Sequence, residues 1–81
     1  MRIDAAIYIP FKDAVLQSLK GSKGKTFSEL TDDVAKIIRQ KIPDFKKSIP
    51  WYTISIRLDL ETRGIVETFT VKGNKMNRLK K

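Results

Sequence analysis

Lysine and arginine are the residues of this chain with the most chemistry to offer, and they are unevenly placed. They number 17 against nine acids, a formal net charge of +8. Residues 20–25 carry Lys20, Lys23 and Lys25 with no acid. Residues 41–48 carry Lys41, Lys46 and Lys47 against Asp44. Residues 72–81 carry Lys72, Lys75, Arg78, Lys80 and Lys81 with no acid. These segments hold +3, +2 and +5, and the rest of the chain sums to −2. Clustered cations of this kind hold anions, and a polymer of phosphates satisfies many of them at once. The pattern favours a polyanionic partner, nucleic acid first. A lysine-rich surface that serves only solubility would show the same composition.

Other chemistries find little footing. The chain has no cysteine and no histidine, which excludes disulfides and thiolate or imidazole metal sites. No metal and no cofactor is expected. Gly24-Lys25-Thr26 has the ending of a phosphate-binding loop. The glycine that motif needs five residues before Gly24 is replaced by Leu19, and no parallel-sheet strand leads into it. Asp32-Asp33 sits where a helix begins, a commoner role for adjacent acids than general acid–base work. No catalytic residue, enzyme activity or small-molecule substrate is expected. No apolar run approaches the roughly 20 residues of a membrane span, and the first residues, with Asp4, Pro10 and Lys12, lack the pattern of a signal peptide. The basic residues lie in loops, not along one helical face, so no membrane partner is expected either. The 81 residues make one domain, with a reducing, cytoplasmic setting as the natural one.

The elements that must position the lysines follow from periodicity and punctuation. Asp4 can cap a first turn through Ala5, Ala6 and Ile7. Pro10 suits a helix start better than a helix middle, and from there Phe11, Ala14, Val15 and Leu19 recur at helical spacing until Gly21. Residues 21–24 form a loop, and Lys25-Thr26-Phe27 is a short extended piece. Thr26-Phe27-Ser28-Glu29 matches a capping box, with Ser28 a rival cap. The second helix buries Leu30, Val34, Ile37 and Ile38 and stops at Pro43. Residues 43–50 are a loop. Ile65–Val71 and Met76–Leu79 read as strands joined by the turn Lys72-Gly73-Asn74-Lys75, with Gly-Asn suited to a primed two-residue turn.

Residues 52–61 admit two structures. Tyr52, Ile54, Ile56, Leu58 and Leu60 alternate with polar residues, the pattern of a half-buried strand. The punctuation is that of a helix: Ser48 can cap, Pro50 falls in the first turn, and Gly64 follows Arg63 as a stop. On a helix, Ile49, Tyr52, Thr53, Ile56 and Leu60 share one face, and Trp51, Ile54 and Leu58 share the opposite one.

Helix, short strand, helix, loop, third helix and hairpin is the element order of a winged-helix domain. Trp51-Tyr52, Arg57-Leu58-Asp59-Leu60-Glu61 and Arg63-Gly64-Ile65-Val66-Glu67 resemble the matching run in a small, largely uncharacterised family of single-domain winged-helix proteins. Asp4 and Tyr8, Thr26-Phe27-Ser28-Glu29-Leu30 and Asn77-Arg78-Leu79-Lys80 extend the resemblance over most of the chain. It implies an α+β winged helix-turn-helix: three helices, a small antiparallel sheet and a C-terminal hairpin wing, with residues 50–63 helical. Pro10 departs from the uninterrupted first helix of that family. The resemblance brings no established activity.

In such a fold the third helix enters the major groove and the wing lies along the backbone of double-stranded DNA. The expected contacts are Lys46, Lys47 and Ser48 before the helix, then Trp51, Tyr52 and Ser55 on it. Lys72, Asn74 and Lys75 follow on the wing, with Arg78 and Lys80 extending it and Lys25 at the sheet edge. Base-reading side chains are scarce, since Arg57 lies toward the core and Arg63 at the far end. Backbone-dominated, weakly specific binding is expected, in the role of a transcriptional regulator. The alternative expectation is a protein-interaction or homodimerisation face made of Trp51, Ile54 and Leu58.

Overall fold

The computed structural model describes residues 3–80. Three helices and three strands follow in the order α1 (Ala5–Leu19), β1 (Lys25–Thr26), α2 (Phe27–Lys41), α3 (Ile49–Thr62), β2 (Val66–Val71) and β3 (Asn74–Leu79). The sheet is antiparallel throughout, with strand order β1-β3-β2. This α+β architecture, with its C-terminal hairpin, is compatible with a winged-helix arrangement.

The first helix corrects the sequence expectation. It runs from Ala5 to Leu19 without a break, and Pro10 lies inside it. Asp4 is the cap, its carboxylate accepting the Ala6 N–H at 3.1 Å. Proline at position 10 removes the N–H that would bond the Ala6 carbonyl. Ala6 is exposed, so water can satisfy that carbonyl. Ile7 and Tyr8 before the proline pack on the same core as Phe11, Ala14 and Val15 after it. Burial of one continuous face outweighs one missing bond.

The second helix begins as its capping box requires. Thr26 N–H donates to Glu29 Oε1 at 2.9 Å, and Glu29 N–H donates to Thr26 Oγ1 at 3.2 Å. Its buried stripe is Leu30, Val34 and Ile38.

Residues 49–62 are helical despite their alternation. Ser48 Oγ accepts the Trp51 N–H at 3.2 Å, and Pro50 lies in the first turn. At the other end Gly64 takes φ +77°, the left-handed conformation that ends helices. Gly64 N–H donates to the Glu61 carbonyl and Ile65 N–H to the Leu60 carbonyl, the paired bonds of a Schellman stop. Thr53, Ile56, Arg57 and Leu60 are buried. The core they complete contains Phe11, Val15, Leu19, Leu30, Val34, Ile38 and Val66.

The hairpin turn sits one residue earlier than expected. Val71 pairs with Asn74, so the two central residues are Lys72 and Gly73, at φ +51° and +83°. Positive φ at both positions is the geometry of a primed turn, whose twist matches its flanking strands.

Candidate nucleic-acid interface

Each charged side chain must be placed before its use can be judged. The described residues contain four ion pairs, and three of them involve arginine. Arg57 on α3 is only 4 % exposed. Its Nη1 donates to Asn77 Oδ1 at 3.4 Å and to Glu61 Oε1 at 3.5 Å. Asn77, itself buried on β3, donates from Nδ2 to the Lys25 carbonyl of β1 at 3.1 Å. Glu61 accepts from Thr68 Oγ1 of β2 at 3.0 Å through its other oxygen. One polar network thus fastens α3 to all three strands.

A second clasp joins α1 to α3. Tyr8 Oη donates to Asp59, and Arg63 Nε donates to the same carboxylate oxygen at 2.9 Å. Both donors favour the charged carboxylate. The Tyr8 bond, more than Arg63, holds Asp59 below the usual carboxylate range. The same bond to Asp59 raises the Tyr8 phenol, with burial adding to it.

Lys25 is at the sheet edge as expected, but it is not free to meet a phosphate. Its ammonium pairs with Asp33 and lies 3.4 Å from Ser18 Oγ. Ser18 Oγ also donates to Asp33 at 2.8 Å. Lys25 and then Ser18 hold the Asp33 carboxyl low. The neighbouring Gly24 is explained by packing: a Cβ there would stand 2.6 Å from Cζ of Phe69. With Thr26 capping α2, every residue of the Gly-Lys-Thr run has a structural role. Arg78 is likewise engaged, its Nε donating to Glu67 at 2.7 Å and its guanidinium lying 4.2 Å over the Phe69 ring.

The remaining expected contacts divide into two groups. Lys46, Lys47 and Ser48 are exposed before α3. Trp51 is 53 % exposed and stands edge-on to Tyr52, ring centroids 4.9 Å apart. Tyr52 is half-buried, its ring part of a cluster with Phe11 and Phe45 at 5.5 and 5.6 Å. Ser55 is half-buried on α3. The second group, Lys72, Asn74 and Lys75, is exposed at the hairpin tip, with Lys75 opposite Thr70. Lys80 is exposed beyond the end of β3. No hydrogen bond or ion pair among the described residues links the two groups. The first begins just before α3 and runs into its first two turns, and the hairpin leaves from the other end of this helix, which is roughly 20 Å long for 14 residues at 1.5 Å each.

Residues 1–76 match the model of DUF6958, a family of unknown function. The chain belongs to this family. No curated protein and no solved structure matches it.

Within this DUF6958 chain, the polar residues of the run 57–63 turn inward or sideways. Arg57 and Glu61 hold the sheet, and Asp59, backed by Arg63, holds α1. Sequence reasoning placed Arg57 toward the core but missed its partners. The two acids spaced i+4 from Arg57 and before Arg63 were the available signal; the strand partners Thr68 and Asn77 had none. The outward face of α3 keeps Trp51 and Leu58, at 53 % and 48 % exposure, with Ile54 half-buried between them. Among the described residues no cluster of acids could hold a metal ion, and no helix is long and apolar enough to cross a membrane.

Proposed function

We propose that this chain is a winged-helix protein that binds double-stranded DNA through the phosphate backbone, with weak sequence preference and a regulatory role. The observation that carries this reading is the division of labour between the arginines of α3 and the hairpin and the exposed lysines around them. Arg57, Arg63 and Arg78 are committed to carboxylates of the same chain. Lys46, Lys47, Lys72, Lys75 and Lys80 are exposed and make no ion pair among the described residues. Arginine forks read guanine edges and clamp phosphates bidentately; lysine is a mobile point charge. A surface left with lysines suits phosphate attraction and offers little base discrimination.

The contact set is smaller than the sequence suggests, because Lys25 and Arg78 already have partners. Five lysine–phosphate contacts would make log K fall with log salt at a slope of about −4.5. A mobility-shift titration of random duplex over a salt series tests this. Tight binding at low salt that collapses on salt addition is expected, with similar affinities for unrelated sequences. Absence of any shift at low salt defeats the proposal.

The outward apolar face of α3 favours a second reading. Trp51, Ile54 and Leu58 could dock a partner protein, and the chain would then be an interaction module. That reading expects Leu58→Asp to abolish partner binding without unfolding the chain, and it expects no salt-sensitive affinity for DNA.

A further inference from the structure

The loop between α1 and β1 is pinned at both of its ends. At the first, Gly21 takes φ +75° and Ser22 N–H donates to the Leu19 carbonyl at 3.0 Å, which turns the chain out of α1. At the second, Gly24 lies so close to Phe69 that a Cβ would stand 2.6 Å from its ring. Between the two pins, residues 21–23 stand off from the base of the hairpin. The gap is a cleft of about 980 Å³, with Leu19 and Leu79 in its lining. Clefts of this size with apolar side chains in their walls are the usual seats of small molecules.

Charge decides what the cleft attracts. Glu67, Arg78 and Lys80 line it from the hairpin, and Lys23 lines it from the loop. The Arg78 guanidinium neutralises Glu67 at 2.7 Å. The charge left over is that of Lys23 and Lys80, both exposed and without an ion pair among the described residues. The Gly21 and Lys23 N–H groups on the loop side bond to no acceptor among the described residues, which adds two neutral donors. A second, more open cleft of about 640 Å³ shares Leu79 and Lys80 with the first and adds a third exposed lysine, Lys20. Among the described residues, Glu67 is the only acid lining either cleft.

We propose that the first cleft binds a small anionic amphiphile: an apolar or aromatic body carrying one anionic group. The body covers Leu19 and Leu79, and the anion answers the Lys23 and Lys80 ammonium groups and the loop N–H donors. An uncharged apolar molecule leaves those donors unanswered. A bare inorganic anion leaves the leucines wet, and a cation meets two like charges. The site does not rest on the DNA reading, because Lys23 lies outside the phosphate contacts assigned there and only Lys80 belongs to both. It is also separate from the outward face of α3.

The test is an amide NMR titration of the full chain with naphthyl phosphate at fixed ionic strength, run beside naphthol and inorganic phosphate. Saturable shifts are expected in residues 19–23, 67 and 78–80, with naphthol and inorganic phosphate each weaker by at least about tenfold. Lys23→Glu changes an exposed loop position and should leave the unliganded spectrum largely as it was. It should weaken naphthyl phosphate by at least about tenfold and leave naphthol unchanged, a split that a merely structural role of Lys23 would not produce. Absence of saturable shifts in these residues overturns the proposal. So do shifts centred on Trp51 and Leu58, full affinity in Lys23→Glu, or inorganic phosphate binding as tightly as its naphthyl ester.

Discussion

The C-terminal half of α3 and the tip of the hairpin are both highly charged, and they use charge in opposite ways. On α3, Arg57 and Arg63 each meet an acid one turn away, and each acid is also held by a group from another element. The charges there are fasteners. At the hairpin tip Lys72 and Lys75 meet no acid and face water. The difference shows why net charge alone says little about a binding surface. Arginines close to carboxylates contribute to the total of +8 yet offer little to a partner. Around α3 and the hairpin, the available charge is that of the exposed lysines.

The sharpest way to break this comparison is to remove a fastener. Arg57→Ala leaves Asn77 and Glu61 without their shared donor in a nearly closed site. It should lower stability by about 2–3 kcal/mol, read by urea denaturation. Were Arg57 a nucleic-acid contact instead, stability would hold and DNA affinity alone would fall. The reciprocal change is Lys72→Glu with Lys75→Glu. Affinity for random duplex should drop at least about tenfold at low salt, and the salt slope should fall by about 2, while the urea midpoint stays put.

Smaller effects sharpen the contrast. Tyr8→Phe removes one donor from Asp59 and should lower stability by about 1 kcal/mol; the Asp59 titration, followed by NMR, should move toward the ordinary carboxylate value. The pH dependence has a definite sign. Asp33 and Asp59 have folded values below their unfolded ones. Their stabilisation is present above about pH 4 and lost as pH falls through the lower folded values. Tyr8 is raised, so its contribution is present below about pH 10 and lost as pH rises beyond it. Thermal melts should therefore fall off at both extremes, and Tyr8→Phe should flatten the alkaline limb. The smallest expected effect is Lys72→Asn. Asparagine tolerates positive φ better than lysine, so the hairpin should gain up to about 0.5 kcal/mol while DNA affinity drops.

Much of the fold was legible because its boundaries carry local chemistry. The Thr26–Glu29 box, the Ser48 cap, Pro50 and Gly64 all act within one helical turn, and each marks the end it was expected to mark. Alternation at 52–61 misled because a helix buried on one face and apolar on the other also alternates when its polar residues happen to fall at odd positions. The stops and the resemblance were better guides there than period. Pro10 was misjudged for the opposite reason: a local rule was outweighed by burial on both sides of it. The hairpin turn slipped by one residue because Lys72 is not a residue whose type announces positive φ. As for the candidate site, Lys46, Lys47, Lys72, Lys75 and Lys80 are exposed, while Lys25 and Arg78, expected beside them, have partners within the chain that no sequence signal announces.

Local chemistry is enough, in this chain, to place three helices, a hairpin and a surplus of cations outside the helices. Caps, stops and turns are decided by neighbours in sequence. Which cations remain available is not, because an ion pair such as Lys25–Asp33, or a clasp such as Tyr8–Asp59, depends on which elements come to lie side by side. The same holds for the cleft beside Arg78. Its walls are the α1–β1 loop and the base of the hairpin, and these meet only when the sheet packs on the helices.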